Sequence, residues 1–133
     1  MSHENINAIE TSFSEIKNLI DNSRRETLQV VNSALVELYW NIGEFISEKI
    51  GHMKWGKSVV ENLALYLSKN VAGGKGFSAQ NLWRMKQFYE TYHKNSILSP
   101  LVREINWTNN MVILSRSKTE EEAEFYLKLC IKE

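Results

Sequence analysis

Cysteine is almost absent from this 133-residue sequence: Cys130 stands alone, so no internal disulfide can form and nothing points to an oxidising compartment. The three histidines, His3, His52 and His93, lie far apart without CxxC or HxxxH companions, which argues against zinc. Asp21 is the sole aspartate, whereas a metal-dependent nuclease centre needs clustered carboxylates to hold its cation. No Ser, His and acid group is arranged for nucleophilic work, and the one early Glu-x-Lys, Glu15-Ile16-Lys17, has no aspartate upstream. Long apolar runs are missing too, since stretches such as Met111 to Leu114 fall far below the ~20 residues of a bilayer crossing. Residues 1–7, Met-Ser-His-Glu-Asn-Ile-Asn, lack the basic, apolar and small-residue series of a secretory signal. The expectation is a cytoplasmic chain that takes no cofactor, inserts in no membrane and is not itself an enzyme.

What is present is ordinary globular composition, with 43% hydrophobic and 24% charged residues and the single proline Pro100. This fits one domain over residues 1–133, all-α or nearly so. Ile9, Phe13, Ile16 and Ile20 recur at helical spacing and predict a helix over about 8–20. Asp21, Asn22 and Ser23 suggest a break and a new cap, after which Leu28, Val31, Leu35, Leu38, Ile42, Phe45 and Ile46 predict a longer helix over about 24–50, stopped by Gly51. Ser58, with Glu61 in capping-box register, starts a helix over 58–69 whose inner face reads Val59, Leu63, Tyr66 and Leu67. The glycines of residues 71–76 end it. Ser78 caps a helix over 79–94 with Leu82, Met85, Tyr89 and Tyr92 inward. Residues 101–107 read as an extended connection behind Pro100. Thr108 and Thr119 cap two last helices over 109–116 and 120–132, the second opening on a run of glutamates that the helix dipole favours.

Formal net charge is zero, but it is unevenly spread. Residues 1–50 carry four basic against eight acidic side chains, residues 51–103 eight against two, and residues 104–133 four against six. The basic middle suits a polyanion, because phosphates attract clustered Lys and Arg and release counterions on contact. Mutual neutralisation of middle and ends across the fold explains the same distribution, and charge alone does not choose.

The helices over 58–69 and 79–94, with the glycine turn between them, have the outline of a helix-turn-helix, although the turn is longer than usual. In that geometry the second helix enters the major groove with its N-terminal residues on base edges. Gln80 and Asn81 can bond adenine in two places and Arg84 can do the same to guanine, while Lys57, Lys69, Lys75, Ser78 and Lys86 supply phosphate anchors. The competing reading is a plain solvated helix face. The aromatic residues, Trp83 included, read mainly as core, and the Gly73-Gly74-Lys75-Gly76 loop lacks the downstream Lys-Ser/Thr of a phosphate-cradling loop.

Several segments taken in order resemble the N-terminal domain of the YhcG-type family, whose members carry a PD-(D/E)xK nuclease domain farther along the chain. They are Val31-Asn-Ser-Ala-Leu-Val-Glu-Leu-Tyr-Trp-Asn-Ile-Gly43, Trp55-Gly-Lys-Ser-Val-Val-Glu-Asn-Leu63, Gly76-Phe-Ser-Ala-Gln-Asn-Leu-Trp-Arg-Met-Lys-Gln-Phe-Tyr89, Leu101-Val-Arg-Glu-Ile-Asn-Trp107 and Glu124-Phe-Tyr-Leu127. The resemblance implies a helix-turn-helix or winged-helix-like module that binds double-stranded DNA, attached to a C-terminal nuclease domain. Ala79 and Gln80 stand where the family usually has basic residues, and Asn109 where it often has histidine. The rival function is a protein-interaction or homodimerisation module that uses the long helix 24–50 and its broad apolar stripe.

Overall fold

A computed structural model describes residues 3–53, 55–71 and 76–133. Six α-helices account for most of them, and no strand occurs among the described residues. The order is α1 (His3–Met53), α2 (Lys57–Asn70), α3 (Ala79–Tyr92), α4 (Leu98–Leu101), a 3-10 turn (Val102–Glu104), α5 (Trp107–Arg116) and α6 (Glu120–Lys132). All-α architecture is therefore as expected, while the β wing of a winged helix is absent from the described residues. None of the described helices is long and apolar enough to cross a membrane.

The largest departure from expectation is α1, one unbroken helix of 51 residues where two were expected. At 1.5 Å per residue it is about 77 Å long. Asp21 does not open a new cap, because its carboxylate takes the Lys17 ammonium one turn earlier at 2.7 Å. With no glycine or proline before Gly43, nothing in the backbone forces a break.

Only the second half of α1 belongs to the core. Val36, Tyr39, Trp40 and Ile46 are buried and pack chiefly on α3. Gly43 lets the two helices meet, since a Cβ there would overlap the Met85 carbonyl. This inward face differs from the stripe read from the sequence: Leu28, Val31, Leu35, Leu38 and Phe45 all remain exposed. Gly43, which permits close backbone approach, and the buried rings of Tyr39 and Trp40 mark the face that packs.

Two clusters make up the interior. One gathers Val36, Trp40, Phe88, Tyr92, Leu98, Val102, Ile105, Ile113, Ala123 and Leu127, and the other gathers Tyr39, Ile46, Val60, Leu82 and Met85. Trp107 packs against both. Phe88 is the aromatic hub, with Trp40, Tyr92 and Trp107 edge-on to it at centroid distances of 5.6, 5.5 and 5.1 Å.

Local signals explain most helix ends, with corrections. α2 starts at Lys57 behind Gly56, which gives no side-chain cap, so Ser58 and Glu61 lie inside the helix and no capping box forms. Its buried residue is Val60, while Val59 and Tyr66 are exposed, a face rotated from the expected one. Residues 101–107 are mostly helical, with Pro100 in the first turn of α4, where its missing N–H loses no helical bond. The Asn95 side chain accepts from the N–H groups of Ile97 and Leu98 at 3.0 and 2.9 Å and starts that turn. α5 is capped by Asn106, two residues before the expected Thr108, through an Asn109 N–H bond of 2.8 Å. Ser78 and Thr119 cap α3 and α6 as expected, accepting from Asn81 and Glu122 N–H.

Asn110 is the one fully buried polar residue among those described. Its amide donates to the Val102 carbonyl at 2.8 Å and reaches the Ile105 and Asn106 carbonyls, tying the 3-10 turn to α5.

Candidate nucleic-acid interface

The interface is built outward from the hidden side of α3. Leu82, Met85, Phe88 and Tyr92 are buried, so the 100° step per residue turns Gln80, Arg84, Gln87 and Thr91 to the opposite side. All four are exposed. The result is a polar stripe along the first three turns of a helix whose back is fixed in the core.

The start of α3 is held by a small network. Asn81 donates to the Gly76 carbonyl at 2.5 Å and accepts from the Trp107 indole N–H at 3.1 Å. Trp107 in turn packs on Tyr39 at 4.7 Å between centroids, and the Tyr39 hydroxyl would lie 2.9 Å from a Cβ at Gly76. Burial pushes the Tyr39 phenol above its ordinary pKa, so it stays neutral in this contact. One donor and one acceptor of the Asn81 amide are therefore engaged inside the protein, so this expected adenine reader also braces the start of α3.

Beside this network a cleft of about 470 Å³ opens between α3 and α5, lined by Asn81 and Arg84 of α3 and by Trp107, Thr108, Met111 and Ser115 of α5. Arg84 is exposed and makes no ion pair among the described residues. Gln87 could have been added from the sequence by a three-residue step from Arg84. Thr108 and Ser115 could not, because only tertiary packing brings α5 alongside α3.

The remaining expected residues sort unevenly. Lys57 opens α2 and Lys69 lies in its last turn; both are exposed, and neither is ion-paired among the described residues. Ser78 uses its oxygen to cap α3 and keeps its O–H free to donate. Lys86 is half-buried, pairs with Glu90 at 2.7 Å and lies 6.0 Å over the Trp83 ring, so much of its charge is used internally. Burial opposes ionisation of Glu90, but hydrogen bonds from Lys86 and Ser47, with the charges of Lys86 and His93, outweigh it and lower the pKa. Lys75 lies outside the described residues. Arg103, also from the basic middle, is committed to Glu37 and the Trp40 ring. Among the described residues no group of three or more His, Cys, Asp or Glu side chains could hold a metal ion.

A long helix carrying a compact helical body, with a fixed polar helix face beside a cleft, defines a small helical module. The chain belongs to the DUF1016 N-terminal domain family, whose model matches residues 15–133. This is the N-terminal domain of the YhcG-type, nuclease-associated family that the sequence segments resemble. No curated protein and no solved structure matches the chain.

Proposed function

We propose that the chain is a non-enzymatic DNA-binding module that reads duplex DNA with the outward face of α3 and positions a C-terminal nuclease domain in longer relatives. The observation that carries this reading is the exposed stripe Gln80, Arg84 and Gln87, backed by a face that is fully buried at Leu82, Met85 and Phe88. Rigid support matters because base readout needs side chains delivered to the groove at fixed positions. Arg84 suits the two acceptors of guanine, and Gln80 and Gln87 the donor and acceptor of adenine. Lys57, Lys69 and Lys75 contact phosphates, joined by the Ser78 hydroxyl at the positive end of the helix. Lys86 contributes less, since Glu90 already neutralises it. α2 and α3 act as the helix-turn-helix pair, and the 3-to-5 cleft receives the backbone beside the groove.

Fluorescence anisotropy on a labelled duplex, repeated across a salt series, tests the proposal. Wild type is expected to bind with an affinity that falls steeply with salt. Arg84→Glu is expected to weaken binding by about tenfold or more, the scale of one bidentate base contact, with circular dichroism unchanged because Arg84 is exposed. Equal binding by wild type and Arg84→Glu would overturn the assignment of this face.

A further inference from the structure

The sequence of α1 before the core places Ile6, Ile9, Phe13, Ile16 and Ile20 at alternating steps of three and four, and every one of them is exposed. Continuing the same rhythm reaches Ser23, Thr27 and Val30, so an a/d seam extends over residues 6–30, about three and a half heptads, the length at which such a pattern marks a coiled coil. A seam this narrow suits another helix with an equally narrow seam.

We propose that this arm of α1 pairs antiparallel with the same arm of a second copy of the chain. Three observations point to that occupant. The first is direction: at 100° per residue Val36, the first fully buried residue of α1, lies about 160°, 180° and 120° around the helix from Ile20, Thr27 and Val30. A partner helix on the seam therefore approaches the arm from the side turned away from Val36.

The second is charge. With Ile6 at an a position, the flanking e positions are Glu10, Lys17 and Arg24. An antiparallel pair in which position numbers add to 36 across the a/d layers sets Glu10 of each arm beside Arg24 of the other, forming two opposite-charge pairs. Lys17 then meets its own copy near the two-fold axis, where the Asp21 carboxylate at 2.7 Å already offsets each ammonium. In a parallel pair the g-to-e' contacts are Ser12 with Lys17 and Leu19 with Arg24, and no opposite charges meet.

The third is layer chemistry. The antiparallel register places Ile16 against Ile20, Phe13 against Ser23, Ile9 against Thr27 and Ile6 against Val30, so each polar seam residue faces a large apolar one. Parallel, in-register pairing stacks Ser23 on Ser23 and Thr27 on Thr27, giving two wholly polar layers in a short seam. Leu19, 69% exposed, lies in a g position at the two-fold and meets its copy in the antiparallel form alone.

Sedimentation of the full chain across about 1 to 200 μM is the test, with the sequence otherwise intact. A concentration-dependent dimer is expected. Ile16→Glu should convert it to monomer while the circular dichroism of the body is retained, because Ile16 is exposed in the single chain. Glu10→Arg and Arg24→Glu should each weaken the dimer by about tenfold, and the double exchange should restore it, since opposite charges again meet. In a Cys130→Ser background, Leu19→Cys should give a disulfide-linked dimer under mild oxidation and Ile16→Cys should not. A monomer at all concentrations, a dimer indifferent to Ile16→Glu, or linkage through Ile16→Cys in place of Leu19→Cys would each overturn the proposal.

Discussion

The two halves of α1 each carry apolar residues at helical spacing, and these meet opposite fates. In the first half, Ile9, Phe13, Ile16 and Ile20 stand in solvent; in the second, Val36, Tyr39, Trp40 and Ile46 are buried against the rest of the chain. Helical periodicity establishes that a face is apolar, but what covers it is decided by whatever else the chain can bring to it. α3 reaches the second half because Gly43 permits contact with Met85, whereas among the described residues Ile6 to Ile20 stay exposed. The first half is thus an arm and the second a structural post, within one uninterrupted helix.

That contrast can be broken most sharply with one residue type in two places. Phe88→Ala removes the fully buried hub of three ring contacts and is expected to destabilise the body by about 4 kcal/mol in urea denaturation. Phe13→Ala, at a position 66% exposed, should shift the same transition by less than about 0.5 kcal/mol in dilute protein. Similar losses for the two would mean that the arm is packed in solution.

Gly43→Ala probes the junction itself. Alanine favours helix by about 1 kcal/mol, but its methyl overlaps the Met85 carbonyl, a backbone atom that cannot turn aside. A net loss of about 3 kcal/mol is expected from the same denaturation experiment. Stabilisation would show that α1 and α3 do not approach this closely.

Asn81→Ala separates scaffold from reader. It strips partners from the Gly76 carbonyl and the Trp107 indole, so a stability loss of about 2 kcal/mol is expected. A variant of wild-type stability with lost duplex binding would restore Asn81 to the reading surface.

A further effect is expected in alkali. Burial raises the Tyr92 phenol to about 12, and Tyr89 is raised as well, by burial and then by Glu44 and Glu48. The unfolded chain ionises near the ordinary value of 10 while the fold still holds the neutral phenol. Its stabilising contribution is therefore complete below pH 10 and disappears toward pH 12. Tyr92→Phe should flatten this decline, measured as thermal midpoint against pH, and an unaltered slope would assign the decline elsewhere.

Much of the body was legible in the sequence because its signals are local. The Ser78 and Thr119 caps start α3 and α6 where their side chains accept the expected N–H groups. Leu82 and Met85 point inward as their spacing requires. Misreadings arose where tertiary contacts decide. The polar trio at residues 21–23 looked like a break because Asp, Asn and Ser favour caps, yet Asp21 is held by Lys17 along the helix. Tyr89 was expected on the inner face and is partly buried against the core, but Phe88, which the expected face left out, is fully buried between the Trp40 and Trp107 rings. At the interface, Gln80 and Arg84 could be placed outward from periodicity. Asn81's partners could not be foreseen, because one of them, Trp107, lies 26 residues away on another helix.

Which face of the body meets DNA is tested most directly by an amide chemical-shift titration of the isotope-labelled chain with a short duplex. The prediction is that shifts gather at residues 78–91 of α3 and 108–115 of α5, growing together with DNA concentration and fading with salt. Shifts confined to residues 6–30 of α1, or spread without preference over the surface, would contradict it.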